Sequence, residues 1–140
     1  MIVTLASVKG GVGKSTCAIH IAAYLRSLSS TLLVDSDRIR SCVAWSKRGK
    51  LPFPVVDENH QAKAMRDTRY EYVVFDTPGS IDDQGLMELA DGCDLMIVSG
   101  RARIFGNRRL VIHSETYPAR QGRVRRAAQS CPAQPAPRSD

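Results

Sequence analysis

Short apolar runs recur along the first 99 residues, and stretches with helical spacing lie between them. The runs are apolar throughout instead of alternating with polar residues, which is typical of strands that are buried on both faces of a sheet. They are rich in β-branched residues and predict strands at 2–8, 31–35, 53–56, 72–76 and 95–99. Strands that alternate with helices indicate βαβ units. The sequence therefore predicts an α/β fold with a mainly parallel sheet flanked by helices.

The clearest of the predicted helices follows the first strand. Residues 16–28 carry an apolar stripe at helical spacing, made of Ala18, Ile21, Ala22, Leu25 and Leu28. Shorter helices are predicted at 38–47, 58–67 and 82–90.

The pattern changes after Ser99. Residues 99–140 contain one further apolar run, Leu110 to His113, which predicts a short strand. The rest has no sustained period, and three prolines in the eight residues from Cys131 predict disorder. We therefore divide the chain into a core, residues 1–98, and an arginine-rich, disordered tail, residues 99–140. We expect the tail not to complete the fold, so that a chain ended after Gly100 would match the full chain in stability.

The distribution of charge changes at the same point. Residues 1–98 hold eleven basic and twelve acidic side chains, whereas residues 99–140 hold nine arginines, no lysine and two acidic side chains. The net charge of +6 therefore comes from the tail, and the core has no basic excess that would favour nucleic-acid binding. Three interpretations of the tail stay open: a lost reading frame or truncation, a solvated tail, or an arginine arm that binds DNA phosphates.

The four cysteines have no CxxC spacing, which argues against a zinc or iron–sulfur site and favours free thiols in a reducing compartment. No apolar run is long enough to span a bilayer, and the apolar start lacks the charged region of a signal peptide. We expect a cytoplasmic protein that does not bind membranes.

A glycine-rich stretch, KGGVGKS at residues 9–15, separates the first predicted strand from the first predicted helix. Its glycines let successive backbone N–H groups point inward, and the helix N-terminus adds a partial positive charge, so the stretch suits phosphate binding. Lys14 can reach the β- and γ-phosphates, Ser15 can ligate Mg²⁺, and Thr16 can contact the α-phosphate. The stretch therefore predicts a site for ATP and Mg²⁺.

Carboxylates follow two other predicted strands. Strand 31–35 ends in Asp35, with Asp37 two residues later, and strand 72–76 ends in Asp76. In a parallel sheet the ligand lies beyond the carboxyl ends of the strands, so these side chains should meet the glycine loop at one edge. Carboxylates there can hold Mg²⁺ through water or orient an attacking water molecule.

The loop departs from the ordinary P-loop pattern because Val8 stands where the first glycine would be, and Lys9 opens the loop with an additional lysine. In this the core resembles the ParA/MinD family of deviant Walker A P-loop ATPases, and ParA-type partition ATPases most closely. The resemblance implies a P-loop NTPase fold, incomplete here at its C-terminal end. It also implies an ATP-dependent homodimer with weak Mg-dependent hydrolysis, a ParB-like centromere-binding partner in plasmid or chromosome partitioning, and possible binding of non-specific DNA.

The resemblance also implies roles for individual residues. Lys9 reaches the nucleotide of the second subunit, Asp37 positions the hydrolytic water, and Asp76 is the Walker B aspartate. The catalytic set is then Lys9, Lys14 and Asp37. The nucleotide contacts are Lys9, Gly10, Gly11, Val12, Gly13, Lys14, Ser15 and Thr16, and the Mg²⁺ contacts, partly through water, are Ser15, Asp35 and Asp76.

Two departures from the family pattern keep alternatives open. Arg38 and Ile39 follow Asp37 where many relatives have Pro-Gln, and residues after Ser99 offer no counterpart of the family's adenine-binding residues. One alternative is a truncated or frame-shifted remnant without enzymatic activity. Another is a MinD-like membrane-cycling ATPase, although the tail has no apolar stripe for a membrane helix.

Overall fold

The computed structural model describes residues 1–99 and the strand at 110–113. Every strand and helix predicted for the first 99 residues is present, and so is the short strand after them. The elements, in chain order, are β1 (Ile2–Ser7), α1 (Lys14–Leu28), β2 (Thr31–Asp35), α2 (Ser41–Arg48), β3 (Val55–Asp57), α3 (Glu58–Asp67), β4 (Tyr72–Asp76), α4 (Asp83–Asp91), β5 (Leu95–Ser99) and β6 (Leu110–His113).

The strands form one sheet in the order β3-β2-β4-β1-β5-β6, and all neighbouring strands are parallel. Because the strands run in one direction, their carboxyl ends share one edge of the sheet. The register there pairs Asp76 at the end of β4 with Leu5 of β1 on one side and with Asp35 of β2 on the other. The loop after β1 therefore emerges beside both predicted carboxylate segments.

Helices cover both faces of the sheet. Helices α1 and α2 pack on one face, where the largest core cluster lies, and α3 and α4 pack on the other. Alternate residues of each strand serve the two faces: Leu33 packs toward α1, while its neighbours Leu32 and Val34 pack toward α3. This two-sided burial is why the strand runs are apolar throughout.

The first helix differs from its prediction in where it begins and in which side chains it buries. It begins at Lys14, two residues earlier than expected, directly after Gly13 with a φ of 78°. Leu28, expected on the buried stripe, is 57% exposed, whereas Ile19, which the stripe omitted, is 6% exposed and packs in the core. The middle of the predicted stripe, Ala18, Ala22 and Leu25, is buried as expected.

The third strand also begins later than predicted, at Val55 instead of residue 53. Pro54 has no N–H to donate to a ladder, although its carbonyl accepts a hydrogen bond from the Leu33 N–H at 3.1 Å. Phe53 is nevertheless buried in the core, at 5% exposure, so the apolar run was correctly assigned to the interior.

Strand β6 pairs with β5 from Met96–Leu110 to Ser99–His113. The sheet thus takes one strand from the range assigned to the tail. Residues 100–109 and 114–140, and with them the three interpretations of the tail, lie outside the described residues. Of the helices that the structure describes, none combines the length and apolar character that a bilayer span requires.

Candidate functional site

The loop between β1 and α1 presents backbone donors to the carboxyl edge of the sheet. Gly11 and Gly13 have φ values of 73° and 78°, in the left-handed region that glycine adopts without steric cost. No side chain caps α1 at Gly13, and its first turn has no acidic residue. The first N–H groups of α1 are therefore left for an anion, which the helix dipole also favours.

A cavity of about 680 Å³ opens above this loop. The glycine loop and the start of α1 form its floor, residues 37–39 together with Ser41 form one wall, and residues 78–80 form the opposite wall. This volume lies in the range of roughly 300–1,000 Å³ that is typical of ligand sites. The cavity is lined by the predicted nucleotide contacts Gly10, Gly11, Val12, Gly13, Lys14, Ser15 and Thr16.

Lys14 lies at the centre of the site. Its side chain is 6% exposed, and Nζ donates to Oδ1 of Asp76 at 2.5 Å and lies 3.9 Å from Oδ2 of Asp37. Asp76 is fully buried, so its charge requires a close partner, and Lys14 provides one. The structure thus brings together three residues that the sequence placed on three separate strand ends.

The other oxygen of Asp76 has a partner that the sequence did not indicate. The Cys42 thiol, fully buried in the first turn of α2, lies 3.2 Å from Oδ2 of Asp76. Burial, and then the negative charge of Asp76, raise the pKa of the Cys42 thiol, so it stays protonated and donates the hydrogen bond. No motif or spacing marks Cys42, because the contact arises from the way α2 packs against the sheet.

Asp35 and Asp76 are both fully buried and neither is among the cavity-lining residues, whereas Asp37 lines the cavity. Asp35 differs from Asp76 in its partners. Its Oδ1 accepts the Asp37 N–H at 3.2 Å and its Oδ2 accepts the Val43 N–H at 3.1 Å. Burial is the main cause that raises the pKa of Asp35. These contacts hold the segment between β2 and α2 in place, and a magnesium contact of Asp35 stays a prediction.

The opposite wall begins at the end of β4. The Thr77 hydroxyl donates to the Leu5 carbonyl at 2.7 Å, which ties β4 to β1 immediately after Asp76. A Cβ at Gly79 would lie 3.3 Å from Cα of Gly10, closer than most side chains tolerate. Glycine at position 79 therefore lets this wall approach the glycine loop.

Lys9 lies outside the cavity of its own chain. Its side chain is exposed, and Lys9 is not among the residues that line the cavity. Within the described part of the chain, no hydrogen bond or ion pair holds it. Its predicted contact with a second subunit stays a prediction, and an exposed position is the geometry which that contact needs.

The oxygen donors at the cavity fit a magnesium nucleotide. Ser15 and Lys14 line the cavity, and Asp76, which is buried and does not line it, contacts Lys14. Among the described residues, no three His, Cys, Asp or Glu side chains are grouped to hold a metal by themselves. Mg²⁺ suits such a site because it binds through one or two protein oxygens together with phosphate and water. The buried Ser7 hydroxyl, which has no hydrogen-bond partner in the described structure, adds an unused polar group at this edge.

Comparison with known proteins identifies the family. The model of the CobQ/CobB/MinD/ParA nucleotide binding domain matches residues 3–102. A curated relative, maintenance of carboxysome distribution protein A from Gloeobacter kilaueensis, is 33% identical over 102 residues, which are 69% of this chain and 47% of the relative. The protein of the same name from Halothiobacillus neapolitanus is 30% identical over 67% of this chain and 47% of its own length. The chain thus spans about half the length of these relatives.

Solved structures share the fold. A plasmid partition protein from Borrelia burgdorferi superposes with a TM-score of 0.52 at 20% identity, covering 81% of this chain and 77% of that protein. A nucleotide-binding protein from Archaeoglobus fulgidus, solved in complex with ADP, superposes with a TM-score of 0.50 at 19% identity, covering 69% and 52% of the two chains. The fold is that of the P-loop NTPases, as predicted.

Proposed function

Because the chain belongs to the CobQ/CobB/MinD/ParA family of nucleotide-binding domains, we propose that it binds ATP with Mg²⁺ and hydrolyses it slowly, as the switch of a ParA-type positioning system. The observation that carries the proposal is the buried Lys14 ammonium beside Asp76 and Asp37, at the base of a cavity floored by backbone donors. The relatives are named for carboxysome distribution and a structural neighbour for plasmid partition. The cargo is then a plasmid, a chromosome or a protein compartment.

Nucleotide binding follows from the chemistry of the loop. The N–H groups of the glycine loop and of the first turn of α1 bind the phosphates, and Lys14 exchanges its contact with Asp76 for β- and γ-phosphate oxygens. Mg²⁺, when bound, neutralises charge on the phosphates. Ser15 would ligate it directly, and Asp76, released by Lys14, would hold it through water.

Hydrolysis depends on Asp37. Its carboxylate lines the cavity 3.9 Å from the Lys14 ammonium, close to where the terminal phosphate would lie. From there Asp37 can accept a hydrogen bond from the attacking water and orient it in line with the leaving group.

Dimerisation is the proposed output of ATP binding. Lys9, exposed outside the cavity of its own chain, reaches the phosphates of the nucleotide bound to a second subunit and adds positive charge there. Hydrolysis removes this contact and releases the dimer, so ATP sets the switch and ADP resets it. A ParB-like partner and non-specific DNA are the macromolecules that such a dimer would bind.

The substitution Lys14→Ala tests the nucleotide site. We expect it to abolish binding of a fluorescent ATP analogue, because the phosphates lose their buried cation. Lys63→Ala, an exposed lysine on α3, is the matched control and should bind like the parent. Because Lys14→Ala also leaves the Asp76 carboxylate without its cation, a thermal melt should be measured to check that the variant is folded. Ser15→Ala is a second variant, which should weaken only the Mg-dependent binding. Equal affinity of parent and Lys14→Ala would falsify the proposed site.

The substitution Lys9→Ala tests the switch. We expect it to keep the parent's affinity for ATP but to lose ATP-dependent dimers in sedimentation, because Lys9 acts between subunits. Asp37→Ala should have the opposite effect and accumulate the dimer, because hydrolysis no longer releases it. If the parent binds ATP yet stays monomeric, and Asp37→Ala accumulates no dimer, the chain is a nucleotide-binding remnant instead of a switch.

A further inference from the structure

The connection between β2 and α2 is a tight turn, residues 37–40, that forms one wall of the cavity. Oδ1 of Asp37 accepts the Ile39 N–H at 3.0 Å, and the Asp37 carbonyl accepts the Arg40 N–H at 3.1 Å. Asp35 fixes the start of the turn through the Asp37 N–H at 3.2 Å. Arg38 and Ile39 therefore occupy the two corner positions of a turn that is held at both ends, and both line the cavity.

The two arginines of this segment have different environments. Arg40 is half-buried, and its guanidinium donates to the backbone carbonyl of Asp35. Arg38 is exposed at the cavity, and within the described residues it has no hydrogen bond or ion pair. Arg40 thus stabilises the turn, while the donors of Arg38 stay available to a molecule in the cavity.

The site has more negative than positive charge, and a second cation would offset part of that excess. Asp35, Asp37 and Asp76 bring three carboxylates, and among the described residues the ion pairs to them are those of Lys14 with Asp37 and with Asp76. A nucleoside triphosphate adds further negative charge. A guanidinium can bind two phosphate oxygens at once, which makes arginine well suited to this position.

The location of the turn indicates which phosphate is involved. Lys14, which serves the β- and γ-phosphates, lies 3.9 Å from the Asp37 carboxylate, and Arg38 is the next residue. The phosphates nearer the sugar lie against the first turn of α1, on the floor of the cavity. The turn is therefore beside the terminal phosphate of a triphosphate, the group that a diphosphate lacks.

We propose that the Arg38 guanidinium binds the terminal phosphate of the nucleoside triphosphate, so that the 37–40 turn distinguishes triphosphate from diphosphate. The inference rests on the proposed function, because it concerns the same nucleotide site. It adds a specificity-determining residue to the part of the cavity lining that follows β2.

The experiment compares affinities for a non-hydrolysable ATP analogue and for ADP, both with Mg²⁺, by isothermal titration calorimetry. Arg38→Gln should weaken binding of the ATP analogue about tenfold, as expected for the loss of one charge-assisted contact, and change ADP affinity less than about twofold. Arg48→Gln is the matched control, because Arg48 is exposed near the end of α2 and does not line the cavity. It should leave both affinities unchanged.

Other results would overturn the proposal in distinguishable ways. If Arg38→Gln weakens the binding of both nucleotides equally, Arg38 contributes only a general electrostatic attraction. If the variant weakens the binding of neither nucleotide, Arg38 makes no contact with them. Either result overturns the proposed role of Arg38 and leaves the proposed nucleotide site intact. A parent chain that binds neither nucleotide overturns the proposed function itself, and the inference with it. A thermal melt of Arg38→Gln equal to that of the parent shows that the comparison is between folded proteins.

Discussion

At the scale of single residues, the surroundings of Asp76 show how the site is assembled. One of its oxygens accepts from Lys14 at 2.5 Å and the other accepts from the Cys42 thiol at 3.2 Å, and all three side chains are buried. A buried carboxylate is stable only when its oxygens are bonded. Cys42 therefore orients the Asp76 carboxylate from α2 while Lys14 neutralises it from α1.

Substitution of Cys42 measures the contribution of that hydrogen bond. Cys42→Ala leaves Oδ2 of Asp76 without its donor, and we expect a loss of about 1–3 kcal/mol in the free energy of unfolding. Cys42→Ser keeps a donor in the same place and should lose less. Urea denaturation of both variants at neutral pH makes the comparison. Equal losses in the two variants would mean that packing of the sulfur, and not its hydrogen bond, is what matters.

The sequence predicted some of these residues and could not predict others. Lys14 and Asp76 could be predicted from the sequence. A motif places Lys14 and a strand end places Asp76, and a parallel sheet brings strand ends to one edge. Cys42 was not predictable from the sequence, because its hydrogen bond to Asp76 joins α2 to β4, which are distant in the chain. The backbone N–H groups that the Asp35 oxygens accept were equally invisible in the sequence, and its magnesium contact stays a prediction.

At the scale of elements, α4 shows how local sequence fixes the start of a helix. Oδ1 of Asp82 accepts the Gly85 N–H at 2.9 Å, which is the usual N-cap arrangement. A Cβ at Gly85 would lie 2.8 Å from Ile81 Cγ2 and 3.1 Å from the same Asp82 oxygen. The cap therefore requires the acceptor at one position and glycine three residues later.

Substitution of Asp82 tests this cap. Asp82→Ala removes the acceptor, and we expect a loss of about 1 kcal/mol of stability. Asp82→Asn retains a side-chain oxygen at the N-cap and is the matched control, with little change expected. Chemical denaturation of the three proteins gives the values. A loss in Asp82→Asn as large as that in Asp82→Ala would point to the charge of Asp82, instead of its hydrogen bond, as the source of stability.

Element types were more predictable than element ends. Apolar runs and helical spacing identified the strands and helices because burial on two faces leaves a long, redundant signal. The ends depend on single backbone conformations: Gly13 in the left-handed region starts α1 at Lys14, and Pro54, which has no N–H, precedes the start of β3. The hydrophobic pattern alone does not predict where α1 and β3 begin.

At the scale of the whole molecule, the parallel sheet follows from the alternation of strands and helices, whereas the order of its strands does not. Placing β1 between β4 and β5 depends on pairings across more than sixty residues, such as Leu5 with Asp76. The outer strand on the C-terminal side is a second case. Leu110 to His113 was predicted as a strand, but its place in the sheet, paired with β5 along four residues, was not.

The contribution of β6 can be measured with chains ended after Gly100 and after His113, compared with the full chain. Without β6, one side of β5 has no partner for its N–H and C=O groups, and such an edge also promotes aggregation. For a domain of about 100 residues each 1 kcal/mol lost lowers the Tm by about 4–8 °C, so we expect the shorter chain to melt at least about 5 °C below the longer one. The chain ended after His113 is the control, because it keeps the pairing while lacking residues 114–140. Equal melting of the two shortened chains would show that β6 adds no stability, and the sheet would then depend on β1 to β5 alone.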